Sequence, residues 1–194
     1  MPATLIGPCE YREEIRKSRF IALAGPIDSA EAAQEFIQAH SDPAASHNCW
    51  AWKVGGQYRS SDDGEPGGTA GRPILAAIEA QDCDHVAVLV IRWYGGIQLG
   101  TGGLARAYGG CANKCLQPAE KRPLIARQLF ECECTFSELG LVRLRVAQTG
   151  GVVAGEAFNA DGVRLQLALA TGAESVLQAQ LFELSRGRIK LRSV

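Results

Sequence analysis

Two glycine-rich segments, SSDDGEPGGTAGRP (residues 60–73) and RWYGGIQLGTGGLAR (residues 92–106), carry the residue types best suited to holding an anion. Each sets glycines just ahead of a helical pattern. Glycine lets the backbone approach a ligand closely and adopt positive φ. A helix start presents unpaired N–H groups at the positive end of the dipole. Arginine adds a planar, permanently charged fork that fits phosphate. On this reading Gly68, Thr69 and Gly71 form one cradle, and Gly95, Gly96, Gly100, Thr101, Gly102 and Gly103 form a second. Arg72, Arg92 and Arg106 supply charge, with His47 as a binding histidine. The competing reading is that the glycines serve only tight turns. Neither segment is a P-loop or a dinucleotide fingerprint, so ATP and NAD have no specific support and no cofactor is expected.

Asp62, Asp63 and Glu65 form an acidic cluster in the first segment. Carboxylates of this kind can hold Mg²⁺ together with a bound phosphate; alternatively Asp63-Gly64 is a turn and the carboxylates pair with nearby arginines. His47 lies two residues from Cys49, which on a strand gives a shared direction without contact. No Gly-x-Ser-x-Gly elbow and no His-Glu-x-x-His occurs, so no catalytic residue is assigned. Trp50 and Trp52 share a strand face and are expected in the core. Trp93 and Tyr94 point to opposite faces, which leaves one free to stack on a base.

The elements that must position these residues follow from hydrophobic period. Residues 19–24 read as a strand, and Asp28 or Ser29 as the cap of a helix burying Ala33, Phe36 and Ile37. Residues 48–54 and 57–60 read as a hairpin about Gly55-Gly56. Thr69 is the expected cap of a helix with Pro73 in its first turn. Val86–Ile91 is an unbroken apolar run, the pattern of a central strand covered on both faces. A helix carrying Leu104, Tyr108, Cys111 and Cys115 follows, and QPAEKRP is the expected linker. Beyond it the order is strand (129–136), helix, strand (152–158), strand (163–170), helix, strand (188–192). This βαββαβ order is the ferredoxin-like pattern. The expectation is an α+β protein with domains at 1–120 and 121–194. Arg186, Arg188, Lys190 and Arg192 would place a basic stripe on the last strand, facing Glu131 and Glu133 on the first.

A chain of 194 residues has room for two small domains. No apolar run approaches the roughly 18 residues of a membrane helix, and no signal-peptide pattern opens the chain, so a cytoplasmic protein without a membrane partner is expected. The seven cysteines include no Cys-x-x-Cys pair, and their spacings suit buried free thiols. A net charge of −1 speaks against a bulk electrostatic grip on nucleic acid, so any RNA contact must be local.

HNCWAW, RSSDDGEPGGTAGRPIL and VIRWYGGIQLGTGGLARAYGG closely resemble the signature of the YigZ/IMPACT family. The resemblance spans about residues 19–116 and is specific, because both segments match in order and spacing. Small departures occur at Gly67-Gly68 and Trp93-Tyr94. The resemblance implies a fold like ribosomal protein S5 domain 2 for the first half and a small ferredoxin-like domain after it, the pair resembling the last domains of elongation factor G. It implies that eukaryotic members modulate translation through a protein activator of a stress kinase, and that bacterial members are associated with RNA or the ribosome. A peptidase label carried by some members has no support in these residues. The function expected is a translation-associated regulatory protein that binds RNA or the ribosome, with a possible protein partner of the translation apparatus. Two alternatives stay open: an enzyme acting on a small phosphorylated substrate with a metal at the acidic cluster, and a protein-interaction module.

Overall fold

A computed structural model describes residues 2–194. The chain divides into two compact units, one reaching to Leu124 and the other covering Ile125–Val194. Both are mixed α/β.

The first unit runs β1 (Ala3–Leu5), β2 (Cys9–Ile15), β3 (Ser18–Pro26), α1 (Ala30–His40), β4 (His47–Val54), β5 (Gln57–Ser61), α2 (Gly71–Ala80), β6 (Val86–Trp93), α3 (Thr101–Leu116) and β7 (Lys121–Pro123). Its main sheet has the order β2-β3-β6-β4-β5, with every neighbour antiparallel. The apolar run of residues 86–91 is the central strand. Val86, Val88 and Val90 face the α2/α3 side with Phe20, Ala22, Ala24, Cys49 and Ala51. Ala87 and Trp52 face α1 and its Ala33 and Ile37. Both faces of β6 are therefore dry, which is why it shows no polar alternation. Ser29 caps α1, its hydroxyl accepting from the Ala32 N–H at 3.1 Å.

β1 and β7 form a separate two-stranded ribbon, Ala3 facing Pro123 and Leu5 facing Lys121. The whole of the expected linker thus lies in the first unit, its last three residues as a strand. β2 was not legible either. Its sequence CEYREEI is largely charged, as suits an edge strand. It joins β3 through Arg16 and Lys17, both at positive φ (46° and 64°), the backbone of a two-residue hairpin turn usually marked by Asn-Gly.

The second unit runs β8 (Arg127–Cys134), α4 (Leu139–Gln148), β9 (Val152–Phe158), β10 (Val163–Ala170), α5 (Ala173–Ser185) and β11 (Arg192–Ser193). Its sheet order is β11-β8-β10-β9, all antiparallel. Cys132, Cys134, Leu165 and Leu167 turn inward against Val142 and Val146 of α4 and Leu177 and Leu181 of α5. The last strand is shorter than expected: Arg186 and Gly187 take left-handed conformations, and only Arg192 of the basic series lies in β11, opposite Glu131. The stripe is broken up further by ion pairs: Arg188 holds Glu138, while Glu133 is taken by Arg164 of β10 at 2.8 Å. Among the described residues no helix is long and apolar enough to cross a membrane.

Gly95 closes over the β2–β3 turn, where a Cβ would lie 1.9 Å from the Lys17 carbonyl oxygen. Backbone cannot yield as a side-chain tip can. Gly95→Ala should cost about 3 kcal/mol in urea unfolding of the first unit. Gly7→Ala, whose Cβ meets nothing within 4 Å, should stay within about 0.5 kcal/mol of the parent.

Candidate anion-binding site

The two glycine segments meet different fates. In the first, Asp62 fills the cradle from within. Its Oδ1 accepts from the N–H groups of Ala70 (3.0 Å) and Gly71 (2.8 Å), and its Oδ2 from that of Gly68 (2.8 Å). The start of α2 is thus capped by a carboxylate eight residues upstream of its cap position, not by Thr69. The Thr69 hydroxyl donates to the Pro66 carbonyl at 2.6 Å, and its N–H to the same oxygen at 3.1 Å. Burial works against the Asp62 charge, but the backbone donors and the nearby Arg72 guanidinium outweigh it and hold the carboxyl below its ordinary value of 3.8. Gly68, Thr69 and Gly71 accordingly have no amide to offer a ligand. Gly71 is required for another reason: a Cβ there would lie 2.8 Å from the backbone of Ser61.

Arg92 is likewise committed. It is 4% exposed and projects from β6 beneath the loops. Its Nη1 donates to Glu65 Oε1 at 2.6 Å, and its Nη2 to Ser18 Oγ at 3.3 Å. The same Glu65 oxygen accepts from the Tyr108 hydroxyl at 2.6 Å, and His47 Nε2 stands 3.7 Å from it. Arg92 is therefore the counter-ion of a buried glutamate rather than a free phosphate fork. The Gly95 N–H donates to Ser18 Oγ at 3.2 Å, which removes it from the second cradle.

The acidic cluster is dispersed by the same bonding. The Asp62 carboxylate is spent on α2, that of Asp63 accepts from the Asn48 N–H at 2.6 Å, and Glu65 faces Arg92. Among the described residues no group of three His, Cys, Asp or Glu side chains is arranged to hold a metal ion. The Asp63 carbonyl takes the Nδ1 of His47 at 2.7 Å, which points Nε2 toward Glu65. Cys49 turns away into the core and donates to the Asp62 carbonyl at 3.0 Å. Burial pushes its thiol up to about 12, so it supplies no thiolate to His47. Burial, with Cys49 and Glu65 beside it, also raises Tyr108, which stays a hydrogen-bond donor.

What remains open is the start of α3. Gly100, at φ +73°, is its cap residue, and no side chain caps the helix. The first-turn N–H groups, those of Thr101, Gly102 and Gly103, are left for a ligand. Gly100 and Thr101 border a cavity of ≈ 460 Å³ whose other walls are His47, Glu65, Pro66, Arg92, Tyr94, Gln98, Leu99 and Leu104. Arg92 keeps a buried Nε–H without an acceptor in that wall. Tyr94 is 50% exposed at the rim, its ring 5.4 Å from the Arg92 guanidinium, whereas Trp93 is stacked under Arg19. Arg106 reaches back toward the helix start, its Nη1 lying 3.5 Å from where a Gly102 Cβ would sit. With Gly103 it also borders a smaller cavity of ≈ 250 Å³ beside Arg16 and Lys114. Arg72 and Gly96 border neither cavity. Sequence reasoning missed Ser18 and Tyr108 as members of the site. Tyr108 reads as an ordinary apolar position of α3, and Ser18 carries no local signal.

Two outcomes test this geometry. Glu65→Gln leaves the Arg92 charge buried without a counter-ion, so urea unfolding should show a loss of about 3 kcal/mol. Asp62→Asn should cost about 1 kcal/mol at neutral pH, as loss of a charged cap does. Because folding lowers the Asp62 value, its contribution is complete above the ordinary 3.8 and is lost as pH falls below it. The variant should therefore lose less stability than the parent over that acid interval.

Comparison with known proteins agrees with this division of the chain. Residues 16–116 match the Impact N-terminal domain, and residues 132–188 match a domain of unknown function, DUF1949. An IMPACT family member from Thermus thermophilus is 46% identical over 177 residues, covering 90% of this chain and 97% of the relative. The Escherichia coli IMPACT family member YigZ is 35% identical over 194 residues, covering 96% of this chain and 95% of the relative. Protein IMPACT of Xenopus laevis is 33% identical over 107 residues, 49% of this chain and 34% of that protein. A crystal structure of a hypothetical protein superposes with a TM-score of 0.77 at 34% identity, covering 100% of this chain and 98% of the other. With both segments of the chain matched and relatives aligned almost end to end, the protein belongs to the IMPACT family.

Proposed function

We propose that this is a cytoplasmic, translation-associated RNA-binding protein that seats a phosphate of ribosomal or other structured RNA at the start of α3. The observation that carries the reading is the uncapped first turn of α3 opening into a cavity walled by Arg92, whose buried Nε–H lacks an acceptor. Backbone donors at the positive end of a helix suit phosphate oxygens. Arg106 adds charge at the same turn. The half-exposed Tyr94 ring offers a stacking face for an unpaired base. The volume of ≈ 460 Å³ suits a nucleotide-sized group. Family membership supports a role near translation, as the resemblance of the two glycine segments implies. We read the first unit as ribosomal protein S5 domain 2-like, and the second, from its βαββαβ order, as ferredoxin-like.

The test is binding of a fluorescently labelled structured RNA, and of ribosomes, at increasing salt. Affinity should fall as salt rises, with the shallow slope of a site that neutralises one or two phosphates. Arg106→Ala should weaken it about tenfold. Thr101→Glu places a carboxylate in the first turn of α3. It should weaken binding by at least about tenfold while leaving the unfolding midpoint unchanged or higher, because the helix dipole favours it there. Full binding by both variants would remove the site from α3. Absence of RNA and ribosome binding at low salt would overturn the function.

A further inference from the structure

We propose that Cys9 and Cys115 form a reversible disulfide in the first unit, with Cys9 as the attacking thiol and Cys115 as its resolving partner. Their sulfurs lie 3.6 Å apart although the residues are 106 positions apart in the chain. Cys9 opens β2, the edge strand of the main sheet, and Cys115 lies in the last turn of α3. A disulfide needs about 2.05 Å between sulfurs, so side-chain rotation has to close a gap of about 1.5 Å.

The other cysteines are engaged elsewhere. Cys49 donates to the Asp62 carbonyl, Cys83 to that of Gln81 and Cys111 to the Glu13 carboxylate. Cys132 and Cys134 belong to the second unit and are buried in its core. Among the described residues Cys9 and Cys115 are the pair whose thiols touch. The division of roles follows from exposure and charge. Cys9 is half-buried and accessible, whereas Cys115 is buried. The hydrogen bond shared with Cys115 holds the Cys9 thiol below its ordinary value of 9.0 against the effect of burial, and the Lys121 charge acts in the same direction. Cys115 is raised by the same contact and by burial, so it stays a thiol until Cys9 has reacted.

The oxidant required is a low-molecular-weight disulfide, such as oxidised glutathione. The Cys9 thiolate attacks one of its sulfurs, the S–S bond breaks, and one glutathione leaves as thiolate. Cys115 then loses its proton and attacks the Cys9 sulfur of the mixed disulfide, expelling the second glutathione. The protein gives up two protons and two electrons, and one oxidised glutathione becomes two reduced ones. The product ties the edge strand to the end of α3.

The test uses the folded full-length chain with excess oxidised glutathione, followed by thiol blocking and peptide mapping by mass spectrometry. The expected product is lighter by two hydrogens, joins the Cys9 and Cys115 peptides, and is undone by dithiothreitol. Cys9→Ser should abolish it. Cys115→Ser, with Cys115→Ala as a second version, should trap glutathione on Cys9. Cys83→Ser should leave the cross-link intact. The proposal fails if the folded chain keeps both thiols free, if the cross-link joins another pair, or if Cys115 takes up glutathione as readily as Cys9 does. None of these readouts involves RNA, so they stand apart from the function proposed above.

Discussion

The first unit is organised around one buried charge pair. Glu65 and Arg92, both almost wholly out of water, sit 2.6 Å apart, and removing either would strand the other in a low-dielectric interior. Desolvating them is costly, and the cost is offset only because the remaining polar atoms are nearly all matched. Tyr108 donates to the same glutamate oxygen, Ser18 accepts from the guanidinium, and His47 stands near. These five residues come from the start of β3, the start of β4, the loop before α2, the end of β6 and the middle of α3. The pair therefore fixes how five separate segments converge. The one buried nitrogen of Arg92 left without an acceptor stands out against that completeness.

The same convergence explains why two loops of similar composition end in different states. The loop before α2 contains an aspartate placed to turn back onto its own helix start, and it is closed. The loop before α3 has no acidic residue between Arg92 and Arg106. Nothing in its own sequence can neutralise the helix terminus, so its first turn stays open. Glycines serve both loops, yet for different needs. At Gly71 and Gly95 the absence of a side chain lets backbone pass backbone. At Gly100 it permits the positive φ from which α3 starts.

Much of the fold was legible in the sequence because it rests on local period. Val86–Ile91 announced a strand covered on both faces, β9 and β10 fell where alternation placed them, and Ser29 capped α1 as its position before an amphipathic run suggests. What could not be read is non-local or disguised. β2 is mostly charged because it is an edge, and its turn is built from Arg16-Lys17, which bears no hairpin signature. The series Arg186–Arg192 alternates like a strand, but the left-handed Arg186 and Gly187 delay pairing until Arg192. In the site, arginines were legible as charge but not as free or spent charge. That depends on a partner 27 residues away for Arg92, and no spacing rule connects the two.

This distinction also reconciles a chain of net charge −1 with the role proposed for it. Binding of a long RNA backbone stripe calls for many unpaired cations along one surface. Here Arg92, Arg164 and Arg188 are tied to carboxylates, and Lys114 is held by Glu13 at 2.8 Å. The donors invoked for the ligand lie at a single helix terminus beside one cavity. Such a site contributes little long-range attraction. Its selectivity has to come from shape, from backbone N–H groups whose positions the buried pair holds fixed, and from the aromatic rim. On the proposed reading it recognises one phosphate in a particular structural setting rather than an extended run of them.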